Sequence, residues 1–235
     1  MHFINTYTDA GKNSMAAGLR SLISDIFREA IAEGIVTVNP VTPTCAPKMT
    51  VSRERLSLET FKAILTASQQ QPSWASLSME LGIMTGQRRD DLRMMKKSDV
   101  HDGKLWVIQQ KTGARIAIPL ALRLSVMDLT LQQVIDKCIN DSRSDYLISS
   151  SSTKAGRKQG ALNADSITKA FVRALKDSGV KHEDSPPSFH EIRSLASRLY
   201  AAEYGMEFAQ KLLGHKSMKM TSLYLDSRGT EWVEI

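Results

Sequence analysis

Apolar residues recur at three- and four-residue spacing along much of the chain. Leu19, Leu22, Ile23, Ile26, Phe27, Ala30 and Ile31 predict a helix over 14–34, with Gly34 as its C-terminal cap. Prolines at 40, 43 and 47 then read as an extended linker. Further helices are predicted at 58–69 (Phe61, Ile64, Leu65) and 74–84, the latter with Trp74, Leu77, Ser78 and Leu81 on one face. Thr85 and Gly86 stop it, and Gln87 opens another short helix with Asp90 and Asp91 in its first turn. At Leu105 the period changes to two. Residues 105–110 and 114–119 read as strands flanking a turn at Lys111-Thr112-Gly113, and Asp102-Gly103 signals a third strand before them. Helical spacing returns at 128–140 (Leu129, Leu131, Val134, Ile135, Cys138), then a short strand at 146–148 and a Ser, Lys and Gly-rich loop over 149–160. Helices over 163–178, 190–204 and 208–213 complete the pattern. Many short helices around one small antiparallel sheet make an α+β, mainly α, fold.

Composition narrows the class. With 235 residues and 42% hydrophobic content the chain can bury one large core or two small ones. No apolar run approaches the roughly 18–20 residues that span a bilayer, and the first residues lack an export signal. Cys45 and Cys138 lie far apart without partners at metal spacing, so free thiols in a reducing compartment, the cytoplasm by default, are expected. A net charge of +6 and a pI near 9.3 point weakly to a polyanionic partner. The basic residues are spread (Arg88-Arg89, Lys96-Lys97, Lys154 to Lys158, Lys211 to Lys219), which suits an enclosing groove and equally a solvated surface.

The candidate chemistry gathers near the C-terminus. On the helix expected from His190, Ile192, Leu195, Ala196 and Leu199 cluster within about 100°, and His190 and Arg193 project together on the opposite side. His215 follows Gly214, a capping glycine, and Tyr224 lies between two leucines. Each has a plain structural reading: a solvated pair, a cation at a helix C-terminus, a core or interface tyrosine. Arg88 and Arg89 at the start of a helix oppose its dipole, which a bound anion would relieve. No His-Glu-x-x-His or Asp/Glu/His cluster, no P-loop and no Gly-x-Ser-x-Gly occurs. The expectation is phosphate chemistry without a metal and without a cofactor.

Taken together, Thr85-Gly86-Gln87-Arg88, Gln110-Lys111-Thr112-Gly113, Phe189-His190-Glu191-Ile192-Arg193, Leu213-Gly214-His215 and Tyr224 resemble the tyrosine recombinases, especially the integrases of lambda-type phages. That family orders an arginine, a lysine, His-x-x-Arg, a second histidine or tryptophan and a tyrosine, and all six positions are filled here. The resemblance extends from about Arg20 to the tail at Trp232. It implies a tyrosine-recombinase catalytic domain over 51–235, with 1–50 holding the end of a core-binding domain and a linker. It also implies site-specific recombination through a 3′-phosphotyrosine. Tyr224 would be the nucleophile, Arg88 and Arg193 would bind the phosphate oxygens, and Lys111 would protonate the leaving oxygen. His190 and His215 would assist, and Asp91 would orient the site. The implied partners are double-stranded DNA with attachment-type sites, three further copies in a tetramer on DNA, and accessory DNA-bending proteins. The setting is the cytoplasm of a bacterial host. Two other readings stay open: a truncated prophage remnant that binds DNA without recombining, and, more remotely, a type IB topoisomerase-like relaxing activity.

Overall fold

Two units, residues 1–52 and 53–235, make up the chain in a computed structural model that describes residues 2–48, 54–150, 160–182 and 185–215. In the smaller unit α1 (His2–Asp9) is followed by α2 (Asn13–Ala32). The N–H of Gly34, at φ +70°, closes α2 onto the Ile31 carbonyl, as the capping glycine predicts. The stretch expected to be an extended linker instead turns back at residues 39–44. Arg20 holds it, donating from Nε to Thr44 Oγ1 at 2.8 Å and from Nη2 to the Thr44 carbonyl at 2.6 Å. Asn39 Nδ2 donates to the Ser24 carbonyl at 3.0 Å. The prolines are compatible with this turn because its backbone donors are the N–H groups of Val41, Thr42 and Thr44, none of them at a proline.

The larger unit is organised around α4 (Trp74–Thr85), which follows α3 (Leu58–Ser68). Its sequence predicts one apolar face, yet Ala75, Leu77, Met79, Leu81, Gly82, Ile83 and Met84 are all buried. The reason is that α3, α6 (Leu131–Asp141) and α8 (His190–Tyr204) surround it. A helix apolar on all sides is a central helix. Gly82 permits the close approach to α8, since a Cβ there would sit 3.3 Å from Ile192 Cγ2. The one-turn α5 (Arg89–Leu92) leads into an antiparallel sheet of β1 (Val100–His101), β2 (Lys104–Ile108) and β3 (Arg115–Pro119). Leu105 pairs with Ile118 and Val107 with Ile116, so the period of two places Leu105, Val107 and Ile118 on the core.

A second ladder joins β4 (Arg123–Leu124) to β5 (Leu129–Thr130). It delays α6 to Leu131, because Thr130 forms a capping box with Gln133. The strand expected at 146–148 is reduced to isolated bridges, Lys96 with Tyr146 and Ser149 with Ala161. Most of the expected 149–160 loop falls at 151–159, outside the described residues. Next, α7 (Ala164–Asp177) packs on α3, and α9 (Met206–Leu213) packs on α8. The fold is α+β and mainly helical. Among the described residues no helix is long and apolar enough to cross a membrane.

Candidate active site

Four chain segments meet where α4 ends. Gly86, at φ +62°, terminates that helix in the left-handed region. Beyond it the Gln87 side chain is buried, with Nε2 donating to the Thr85 carbonyl at 2.9 Å and to the Leu212 carbonyl of α9 at 2.8 Å. The chain is therefore fastened to α9 just before Arg88. Arg88 is half-buried in extended backbone (ψ 154°), and its Nη1 donates to Gln109 Oε1 at 2.9 Å. Because α5 is only four residues long, it has little dipole to oppose Arg88 and Arg89. What favours an anion here is the placement of the side chains.

The β2–β3 hairpin supplies the second segment. Gln109 and Gly113 close the turn, with the Gly113 N–H donating to the Gln109 carbonyl at 2.9 Å. Lys111 is exposed at its tip. Asp91 is buried, and its Oδ1 accepts from the Gln110 backbone N–H at 2.8 Å, anchoring the hairpin beside α5.

Helices α8 and α9 supply the other two. The sequence offers His190 and Arg193 as a solvated pair, but they part company. His190 is exposed, whereas Arg193 is 1% exposed. The folding of α9 over that side of α8 covers the arginine. Its guanidinium spans the site, with Nη1 donating to the Gly86 carbonyl at 2.7 Å and Nη2 to the Leu213 carbonyl at 2.7 Å. Nη2 also lies 3.0 Å from His215 Nε2. A guanidinium only donates, so Nε2 carries the lone pair and the imidazole proton sits on Nδ1. Burial, then Arg193, then Arg88 depress the His215 pKa to about 4, and the ring is neutral at pH 7. Gly214, at φ +64°, makes the turn that brings His215 back to the arginines.

Arg88, Lys111 and His190 line one cavity of about 420 Å³, together with Arg89, Thr168 and Phe189. Arg193 and His215 stand behind Arg88, whose charge reaches the imidazole. Five of the six candidate residues thus converge from four segments; Tyr224 lies outside the described residues. A second hollow beside the sheet, about 320 Å³, is lined by Asp91, Met94, Trp106 and Ile108 and contains none of those five. Two residues outside the six candidates belong to the site as well. Gln87 and Gln109, 2% and 1% exposed, hold the converging segments together. A signal for Gln109 is present in the sequence: it continues the inward alternation of Leu105 and Val107, and a polar residue at an inward strand position needs partners.

Permanently charged forked donors facing a cavity with an ammonium and an imidazole can hold a tetrahedral oxyanion such as a phosphodiester. The family model for the phage integrase family matches residues 54–231, and the chain belongs to that family. It is 44% identical over 232 residues to the integrase of Escherichia phage lambda, covering 99% of this chain and 64% of that protein. The integrase of Escherichia phage HK022 is 43% identical, with 63% of its length covered. The chain therefore spans less than two thirds of the length of these curated relatives. Among solved structures, a lambda integrase dimer bound to a COC′ core site superposes with a TM-score of 0.92 at 44% identity, covering all of this chain and 81% of that one. A lambda integrase tetramer bound to a Holliday junction gives 0.91 at 44% identity, covering 99% of this chain and 65% of that one.

Proposed function

We propose that this chain cleaves and rejoins DNA strands in site-specific recombination, as in phage integration and excision. The observation that carries the reading is the convergence of Arg88, Arg193 and His215, with Lys111 and His190 at the adjoining cavity, in a chain of the phage integrase family. In this reading the Tyr224 oxygen attacks the scissile phosphorus. A P–O bond to tyrosine forms, the P–O5′ bond breaks, and a 3′-phosphotyrosine and a 5′-hydroxyl result. Lys111 gives its proton to the departing 5′-oxygen, which is how the reaction proceeds without a metal. The phosphodiester energy is kept in the covalent link, so rejoining requires no nucleotide cofactor. Arg88 and Arg193 neutralise charge that builds on the non-bridging oxygens of the pentacoordinate transition state. His215 bonds the phosphate or passes on the tyrosine proton in this reading, and His190 assists from the cavity's rim. Asp91 acts indirectly, through the hairpin that carries Lys111.

The larger unit is the catalytic domain under this proposal, and residues 1–50 are the end of a core-binding domain with its linker. The substrate is double-stranded DNA with attachment-type sites in the cytoplasm of a bacterial host. A homotetramer acts on two such sites, aided by DNA-bending proteins. The test is a set of nicked suicide duplexes, one bearing a COC′ core site and one with its core arms randomised. Wild-type chain is expected to form an SDS-stable protein–DNA adduct that Tyr224→Phe abolishes. Salt-sensitive binding with no adduct would make the chain a DNA-binding remnant instead, its log K falling by about 0.9 per phosphate contacted for each tenfold rise in salt.

A further inference from the structure

The Gln109 carboxamide is 1% exposed and uses its whole hydrogen-bonding capacity within the site. Nε2 donates to Gln87 Oε1 at 2.7 Å and to the Leu213 carbonyl at 2.8 Å. Oε1 accepts from Arg88 Nη1 at 2.9 Å and from Thr112 Oγ1 at 2.6 Å. These four partners fix the orientation of the amide, since a flipped group would face two donors with its NH2 and two oxygens with its carbonyl. They also belong to different parts of the machinery. Thr112 is the neighbour of Lys111 on the hairpin tip, and Arg88 is one phosphate-binding arginine. The Leu213 carbonyl is shared with the other arginine, Arg193, and lies two residues before His215.

We propose that Gln109 is a positioning residue that sets the hairpin carrying Lys111 in register with Arg88 and with the Leu213–His215 turn. This rests on the strand-cleavage reading above. One planar group bonded to three catalytic segments converts motion of the hairpin into motion of the arginines. General acid and oxyanion donors therefore arrive together. Misplacement of a reacting group by about 1 Å can cost about 100-fold in rate. An apolar side chain of the same length breaks all four bonds and leaves the hairpin tip held only through the Asp91–Gln110 anchor, so the proton donor loses its position first.

The test uses single-turnover cleavage of two nicked duplexes. They differ at the scissile phosphate, one having the natural 5′-oxygen and the other a bridging 5′-sulfur, which departs as a thiolate without protonation. Gln109→Met is expected to cleave the oxygen substrate about 100-fold more slowly than wild type and the sulfur substrate with a clearly smaller deficit. Thr112→Val, which removes the hydroxyl's bonds to Gln109 Oε1 and the Ala114 N–H while leaving the other three Gln109 side-chain bonds, is expected to show the same sulfur rescue with a smaller loss, and it serves where Gln109→Met fails to fold. Val134→Ala, a core truncation in α6, reports general destabilisation and is expected to show no rescue. An oxygen-substrate rate within twofold of wild type for the Gln109 and Thr112 variants overturns the proposal. So do equal deficits on both substrates. Absence of cleavage by wild type on either duplex would instead refute the strand-cleavage reading itself.

Discussion

Among the described glycines, Gly214 is the one where an added Cβ would meet its neighbours most closely. Its φ of +64° costs an L-residue about 1–2 kcal/mol. A Cβ there would also lie 2.9 Å from Gln109 Nε2, 2.9 Å from Ile116 Cδ1 and 3.1 Å from Gln109 Cδ. Relief requires the carboxamide to move, which strips a buried polar group of its partners at about 1–3 kcal/mol, and crowding adds a further cost of about 1–3 kcal/mol. Gly214→Ala should therefore lose about 3–8 kcal/mol in all, from the sum of these terms. Two other glycines isolate the clash from the backbone strain. Gly86, at φ +62°, has its nearest neighbours at 3.7–3.9 Å, and Gly179, at φ +68°, has none within 4 Å. Their alanine variants should lose only the backbone contribution of about 1–2 kcal/mol. Urea unfolding followed by tryptophan fluorescence reads the difference as a shift in midpoint at constant slope; Trp74 and Trp106 both lie in the larger unit. Stability of Gly214→Ala within about 0.5 kcal/mol of Gly86→Ala, a margin typical of neutral substitutions, would refute the close packing of this turn on Gln109.

Two predictions concern the charged groups. His215 in the folded chain titrates near 4 rather than at 6.5, so its contribution to stability is complete above pH 6.5 and is lost as pH falls toward about 4. His215→Gln should flatten that part of the stability–pH curve, and an unchanged slope between those values would contradict the burial of the imidazole beside two arginines. Arg193→Lys keeps the charge but cannot span the Gly86 and Leu213 carbonyls with a fork. Strand cleavage should fall by about 100–1,000-fold, the usual cost of losing one transition-state donor, and retention of cleavage within tenfold would show that the fork is dispensable.

Local pattern makes much of the architecture legible. The β2–β3 hairpin follows from a period of two on either side of Lys111-Thr112-Gly113, and the end of α2 follows from Gly34. Where pattern and fold part, the cause is contact between distant elements. The one face read for α4 understates its burial, because α3, α6 and α8 close around it and cover Ala75, Met79 and Ile83 as well. The 39–44 turn reads as extended because the arginine that holds it, Arg20, lies on α2. The start of α6 is an exception, since the Thr130-x-x-Gln133 capping box that sets it is visible in the sequence.

For the site, the order of arginine, lysine, His-x-x-Arg and histidine along the chain names the chemical groups by itself. The identity of a functional group is a covalent fact and is written in the chain. Its state is not. Arg193 reads as solvated until α9 covers it, and His215 reads as a surface cation until burial and two guanidiniums make it neutral. Gln109 carries no motif at all, because its importance lies in four partners drawn from segments as far as 104 residues away. Sequence by itself determined which groups are available for phosphate chemistry. Only the tertiary structure decided which are buried, which are charged and which hold the others in place, because dielectric surroundings, fields and hydrogen-bond partners come from residues that the fold brings together.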